Sequence, residues 1–285
     1  MRRFEYFEPA TLAEASALLA RYGARAQPLA GGTDLLVELK EQLRRADCVV
    51  NIKKIPGIAA MSFDPRAGLR IGALVTAREI EISPVTAKYY PSLVQAAREL
   101  GSIQVRNRAT IVGNVCRASP SADTLPPLIA DGAVVSIHGG QGTRRVPLED
   151  FFTGPGKTVL KSGELMTEIV VPPPAPRTGK VYIKHGRRKA MELATVGVAV
   201  TLELEDEVRI VLGAVAPTPI RAKAAEALLR GREIDPALIE RAARAAAEES
   251  RPISNVRASA EYRREMVDVL TRRTLSHALQ IAKGR

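Results

Sequence analysis

The first fifty residues show a spacing of apolar and polar positions that predicts a small strand–turn–helix–strand unit. Thr11 is followed three residues later by Glu14, the spacing of a capping box, and apolar residues then recur at helical spacing as far as Gly23. A helix is therefore expected over 12–22. Further short apolar and amphipathic runs predict a strand over 27–30, a helix over 34–40 and a strand over 47–52.

The middle of the chain mixes short strands with helices. The apolar patterns predict strands over 58–63, 69–73 and 133–138, and helices over 76–82, 91–100 and 123–130. Residues 101–107 break the helical pattern and lead into Thr110. We expect this region to form a second α/β unit.

A proline cluster over 172–176 marks a boundary, because consecutive prolines fit neither a helix nor a central strand. Beyond it, three apolar runs predict an antiparallel meander with strands over 181–185, 194–204 and 208–215. Three Ala- and Arg-rich amphipathic stretches then predict helices over 219–230, 236–249 and 258–281.

Composition and charge narrow the class of protein. The 285 residues are 46% hydrophobic and 26% charged, which is typical of a soluble globular chain, and no run has the length of a membrane span or a secretion signal. We expect a cytoplasmic protein. The net charge is +11, but the basic residues are interleaved with acidic ones, and aromatic residues make up only 4% of the chain. Both features disfavour a nucleic-acid-binding groove.

The two cysteines, Cys48 and Cys116, stand far apart in apolar surroundings, and the three histidines lack metal-ligand spacing. No cysteine set is present for an iron–sulfur centre. We interpret both cysteines as small buried residues, and any metal chemistry must then belong to another chain.

Two glycine-centred motifs carry the candidate chemistry. Residues 30–34 read Ala-Gly-Gly-Thr-Asp and residues 110–114 read Thr-Ile-Val-Gly-Asn. Glycine turns expose backbone N–H groups, and two of them suit the pyrophosphate of one dinucleotide held from both sides. Thr33, Thr110 and Asn114 add polar side chains, whereas Asp34 is expected to cap its helix. Taken from the residues alone, a plain tight turn and a strand-ending bulge remain open for the two motifs.

Neither motif has the Gly-x-Gly-x-x-Gly spacing of a nicotinamide dinucleotide fold or the Gly-Lys-Ser/Thr of a nucleotide triphosphatase. Together with further motifs, however, they resemble a known family. The additional matches are Ala-Ser-Pro-Ser-Ala-Asp at 118–123, Phe-Thr-Gly-Pro-Gly-Lys-Thr at 152–158, Gly-Glu-Leu at 163–165, Tyr-Ile-Lys at 182–184 with Arg188 and Glu-Leu-Ala at 192–194, and Ala-Ser-Ala-Glu-Tyr-Arg-Arg at 258–264. This set, which runs nearly from end to end, is similar to the FAD-binding medium subunit of molybdenum hydroxylases such as xanthine dehydrogenase and aerobic carbon monoxide dehydrogenase.

The resemblance implies an α+β fold in which two α/β subdomains, over 1–55 and 56–175, clasp FAD in a PCMH-type arrangement. An antiparallel sheet with a helical bundle would follow over 176–285. The cofactor-binding residues carried over by motif are Ala30, Gly31, Gly32, Thr33, Asp34, Leu35, Leu100, Thr110, Ile111, Val112, Gly113, Asn114, Asp123, Leu165, Met166, Lys184 and Leu193. In this assignment 30–35 and 110–114 hold the pyrophosphate, and Lys184 approaches the flavin ring. No catalytic residue and no metal ligand is assigned.

Residue types alone favour core packing for Leu100, Leu165, Met166 and Leu193, and only their motif positions raise them as cofactor contacts. Val112 stands where the family often has glycine, and we expect an extended backbone there because valine resists positive φ. Cys116, close to the second motif, is a minor candidate for a redox role.

The implied function is electron transfer within a complex. FAD would take electrons from a small [2Fe–2S] subunit and pass them to an acceptor such as NAD⁺, a quinone or oxygen, while a large molybdopterin-binding subunit oxidises the substrate. By analogy with the family, the assembly would be a dimer of heterotrimers. A stand-alone FAD-dependent reductase or oxidase of the same broad fold is the alternative. A nucleic-acid-binding module rests only on the charge.

Overall fold

The protein is built on separate β-sheets. The computed structural model describes residues 1–204 and 206–284. The first sheet is parallel, in the order β1-β3-β2, and lies near the N-terminus. Its elements are β1 (Glu5–Phe7), α1 (Leu12–Tyr22), β2 (Ala26–Leu29), α2 (Leu35–Lys40) and β3 (Cys48–Asn51). The predicted α1 is present, and the Thr11 hydroxyl accepts the Glu14 amide at its start.

The central strand β3 is buried on both faces. Cys48 and Val50 pack with Ala15 and Leu19 of α1, whereas the intervening Val49 packs with Leu39 of α2. Alternating side chains of a strand point to opposite faces, so an apolar run suits a strand covered on both sides. The loop from β2 into α2 is thereby fixed above one edge of this sheet.

The second unit is built on a five-stranded antiparallel sheet in the order β4-β5-β10-β6-β7, with a two-stranded ribbon of β8 and β9. The strands are β4 (Met61–Asp64), β5 (Gly68–Gly72), β6 (Val134–Gly139), β7 (Gly142–Pro147), β8 (Phe152–Gly154), β9 (Lys157–Thr158) and β10 (Leu165–Val171). The helices are α3 (Ala77–Ile82), α4 (Pro84–Tyr89), α5 (Pro91–Glu99), α6 (Ile103–Arg106), α7 (Ile111–Arg117) and α8 (Leu125–Ala130).

The third unit is a four-stranded antiparallel sheet backed by helices. Its elements are β11 (Thr178–His185), β12 (Val196–Glu203), β13 (Val208–Gly213), β14 (Ile220–Arg221), α9 (Lys223–Leu229), α10 (Pro236–Glu249) and α11 (Ala260–Ala282). One face packs on α9, α10 and α11, while Tyr182, Ala199 and Val211 join the core of the second unit. This confirms the predicted α+β class with a C-terminal antiparallel sheet and helices.

Two glycines allow the third sheet to approach the second unit closely. A Cβ at Gly213 would lie 2.8 Å from the Cγ atom of Pro126 in α8, and one at Gly197 would lie 2.8 Å from the Tyr182 hydroxyl. A side chain at Gly213 would push β13 away from α8, and one at Gly197 would displace the Tyr182 ring that packs into the core of the second unit. The third unit is therefore seated directly behind the segment that carries Asp123. Among the described residues, no helix is long and apolar enough to cross a membrane.

Candidate functional site

A cleft of about 570 Å³ separates the first unit from the second. Its walls come from the β2–α2 loop on one side and from α7, the α7–α8 segment and the start of β10 on the other. Clefts of this volume between subdomains are typical of small-molecule and cofactor sites.

The β2–α2 loop forms the first wall and needs its glycines. A Cβ on Gly31 would lie 2.0 Å from the Arg108 carbonyl oxygen, so this loop touches the second unit through backbone alone. Gly32 has φ of 77°, a conformation that favours glycine. Within the described part of the chain, none of the amides from Gly31 to Leu35 donates a hydrogen bond, and Asp34 does not cap α2 as expected. The loop therefore presents open N–H donors.

The second motif is a helix start and not a glycine turn. Residues 111–117 form α7, so the extended backbone expected at Val112 is wrong, and α6 occupies part of the predicted break over 101–107. The Thr110 hydroxyl accepts the Gly113 amide at 3.0 Å, and a Cβ on Gly113 would lie 2.7 Å from that same oxygen. Gly113 thus makes room for the helix cap.

Most amides of this second motif already have partners. The Ile111 amide donates to the Val75 carbonyl and the Asn114 amide to the Thr110 carbonyl. The Val112 amide is left without a partner among the described residues. The Asn114 side chain is oriented by Thr124, whose buried hydroxyl donates to Oδ1 at 2.6 Å, and its Nδ2 group remains available as a donor.

A buried ion pair lies in the wall beside Asn114. Asp123, only 7% exposed, accepts the Tyr182 hydroxyl at 2.8 Å and the Lys184 ammonium at 2.9 Å. Burial raises the pKa of Asp123 from its ordinary 3.8 to about 6, although Lys184 and Tyr182 lower it. Burial also raises the pKa of Tyr182 well above its ordinary value, so its hydroxyl remains a donor.

A second charged cluster joins the two walls. Glu38 of α2 accepts Arg117 of α7 at 2.8 Å and Arg44 at 2.6 Å, and all three line the cleft. The Glu38–Arg117 pair crosses from the first unit to the second. Sequence reasoning missed this cluster because Arg117 is far from Glu38 and Arg44 in the chain and no local pattern joins the three residues.

The predicted site residues fall into two groups. Ile111 is buried in the core and Lys184 is bound to Asp123, and neither lines the cleft. The predicted residues that do line it are Ala30, Gly31, Gly32, Thr33, Asp34, Leu35, Leu100, Thr110, Val112, Gly113, Asn114, Asp123, Leu165, Met166 and Leu193. Met191 also lines the cleft, and sequence reasoning missed it. Cys116 lines the cleft as a free thiol, and burial raises its pKa to about 12.

No group of three or more His, Cys, Asp or Glu side chains within residues 1–204 and 206–284 is arranged to hold a metal ion. The site instead combines backbone donors from the first two units with polar side chains that line the cleft between them. Open backbone donors on a cleft between two α/β units suit the phosphates of an extended ligand such as a dinucleotide.

Comparison with known proteins identifies the family. Residues 2–174 match the family described as the FAD binding domain in molybdopterin dehydrogenase, and residues 181–278 match the CO dehydrogenase flavoprotein C-terminal domain. The chain is 33% identical over 285 residues to a putative xanthine dehydrogenase FAD-binding subunit of Escherichia coli (strain K12), covering 98% of this chain and 97% of that protein.

Comparison with solved structures leads to the same family. A carbon monoxide dehydrogenase chain from Hydrogenophaga pseudoflava, in a form that lacks the Mo-pyranopterin moiety, superimposes with a TM-score of 0.94 at 34% identity over 98% of both chains. The chain therefore belongs to the family of FAD-binding medium subunits of molybdenum hydroxylases. FAD is its cofactor, and it is an oxidoreductase subunit, as the resemblance in sequence implied.

Proposed function

We propose that FAD lies in the cleft with its pyrophosphate between the β2–α2 loop and the start of α7. The open amides of Gly31 to Leu35 are the observation that carries this proposal, because they are donors that nothing else in the described chain uses. Thr33, the Val112 amide and Asn114 Nδ2 would add donors. The close approach of Gly31 to Arg108 fits a ligand gripped from both sides.

The remaining wall residues would orient the cofactor. Leu100, Leu165, Met166 and Leu193 offer apolar contacts along the cleft, and Asp123 would face the ribityl or isoalloxazine part. Leu193 is 47% exposed and would cover one face of the ring at the cleft mouth. Lys184 would act through Asp123, since its ammonium is already bound to that carboxylate.

The chain would serve as the electron-transfer component of a complex. Bound FAD would supply the chemistry, carrying electrons from the [2Fe–2S] clusters of a small subunit to an acceptor such as NAD⁺, a quinone or oxygen. A large molybdopterin-binding subunit would oxidise the substrate, and the assembly would be a dimer of heterotrimers that works in the cytoplasm. The medium-chain relatives of carbon monoxide dehydrogenase support this placement.

Reconstitution of the purified chain tests the proposal. Addition of FAD followed by desalting is expected to leave one flavin per chain, with a visible absorption spectrum that changes on binding. Retention of no flavin would contradict the proposal. Turnover of a small substrate by the isolated flavoprotein, without any partner, would favour the stand-alone reductase instead.

A further inference from the structure

Strand β11 presents three polar residues on one face toward α8. Lys180, Tyr182 and Lys184 alternate along the strand, so their side chains point the same way. Asp123 stands just before α8 and Asp131 just after it, and each binds one of the two lysines at 2.9 Å. Helix α8 is therefore bracketed by two buried lysine–aspartate pairs.

The two pairs have similar chemistry but different surroundings. Asp131 also accepts the Thr201 hydroxyl at 2.7 Å, and the Lys180 ammonium lies 4.6 Å from the centre of the Tyr90 ring. This pair does not line the cleft, whereas Asp123 does. Only the Asp123 carboxylate can meet a ligand there.

Lys184 is held in place from two sides. Its side chain is 5% exposed, and its ammonium donates to the Glu99 carbonyl oxygen at 3.0 Å as well as to Asp123. The Tyr182 amide donates to Gln95 Oε1 at 2.8 Å, which fixes β11 against α5. The strand is thus anchored at the points where its side chains reach Asp123.

The charged groups around Asp123 come from several elements. From α5, the Glu99 carboxylate raises the pKa of Asp123, and from β11 Lys184 and Tyr182 lower it. Helix α8 carries no titratable side chain, and α7 contributes to the cleft Cys116, a neutral thiol, and Arg117, which is paired with Glu38. Lys184 is therefore the cation that directly supports ionisation of Asp123.

We propose that Lys184 and Tyr182 are positioning residues that keep Asp123 ionised as a fixed hydrogen-bond acceptor for FAD. This inference rests on the proposed function, because it requires the flavin to lie beside Asp123. A buried carboxylate that loses its cation takes up a proton and changes from acceptor to partial donor. The third unit, which provides Lys184 and Tyr182, thereby supports an acidic residue in a site that is lined mainly by the first two units.

The test measures FAD affinity of the full chain by titration between pH 5 and 9. The wild type is expected to bind with constant affinity above about pH 7 and to weaken as Asp123 is protonated at lower pH. Lys184→Met is expected to move that inflection upward by at least one pH unit, and to weaken binding about tenfold at pH 7.5. Lys184→Arg should restore the wild-type profile.

Two further variants separate positioning from folding. Tyr182→Phe removes one donor to Asp123 and should shift the inflection in the same direction by a smaller amount, so it decides the question if Lys184→Met fails to fold. Lys180→Met breaks the matched pair away from the cleft. It should lower the melting temperature and leave the inflection where the wild type has it.

An unmoved inflection in folded Lys184→Met or Tyr182→Phe would overturn the inference, as would an equal shift in Lys180→Met. A wild-type chain that binds no FAD at any pH would instead refute the proposed function.

Discussion

Gly31→Ala is the substitution that most sharply probes the contact between the two cleft walls. Its Cβ would lie 2.0 Å from the Arg108 carbonyl oxygen and 2.8 Å from the carbonyl carbon. The first distance is about 1.4 Å short of the 3.4 Å at which ordinary contact begins, and neither partner is a flexible side chain. Overpacking of this kind costs about 1–3 kcal/mol.

The strain can be relieved only if the β2–α2 loop moves away from the α6–α7 connection. The open amides of the loop would then leave the position from which they reach the pyrophosphate. We expect the FAD dissociation constant to rise at least tenfold, equivalent to about 1.4 kcal/mol.

Flavin fluorescence titration at pH 7.5 measures this change. Gly140→Ala is the matched control, since a Cβ at Gly140 meets nothing within 4 Å. Its affinity for FAD should equal that of the wild type. If Gly31→Ala bound FAD as tightly as Gly140→Ala, the close approach would have no part in holding the cofactor and the reasoning would fail.

Three other perturbations have defined outcomes. Lys180→Met strands a buried carboxylate and should lower the free energy of unfolding by about 3–5 kcal/mol in urea denaturation. The pKa of Asp123 is higher in the folded chain than in the unfolded chain, so its contribution to the free energy of unfolding is complete below about pH 3.8 and is lost as pH rises through 6. The expected loss is about 3 kcal/mol. Asp123→Asn combined with Lys184→Met should abolish this pH dependence of unfolding. Thr124→Val frees the Asn114 side chain and should weaken FAD binding about fivefold, or about 1 kcal/mol, in the same fluorescence titration.

Each of these has a clear contrary result. Arg25→Met is the control for Lys180→Met, because Arg25 and Asp47 form an exposed ion pair whose loss should cost no more than about 1 kcal/mol of unfolding free energy. An equally small loss in Lys180→Met would show that burial of the Lys180–Asp131 pair does not increase the cost of breaking it. A double variant with the wild-type pH dependence would remove Asp123 as its source. Unchanged FAD affinity in Thr124→Val would show that Asn114 needs no anchor.

Local signals predicted the parts of the fold that depend on short-range patterns. The Thr11 cap predicted α1, and the valine-rich run of β12 predicted a buried strand. Helix α7 was missed because Ile111, Val112 and Gly113 have low helix propensity. The Thr110 cap and burial of Ile111 and Val115 outweigh that preference, and both are visible only in the folded chain.

In the candidate site, too, local motifs were visible in the sequence whereas contacts between distant residues were not. Gly31 and Gly32 were visible as a motif, but the reason for Gly31 is its contact with Arg108, some eighty residues away. Strand β10 was not predicted either, although it forms the centre of the second sheet and starts with Leu165 in the cleft. Lys184 was placed at the flavin ring by resemblance; the fold binds its ammonium to Asp123, a contact that the sequence alone did not reveal.

The most direct test of the account is a crystal structure of the chain reconstituted with FAD. The account predicts a pyrophosphate within hydrogen-bond distance of the amides between Gly31 and Leu35 and of Asn114 Nδ2, with Asp123 beside the ribityl chain or the ring. A flavin bound elsewhere, or a pyrophosphate that touches only one of the two walls, would contradict it.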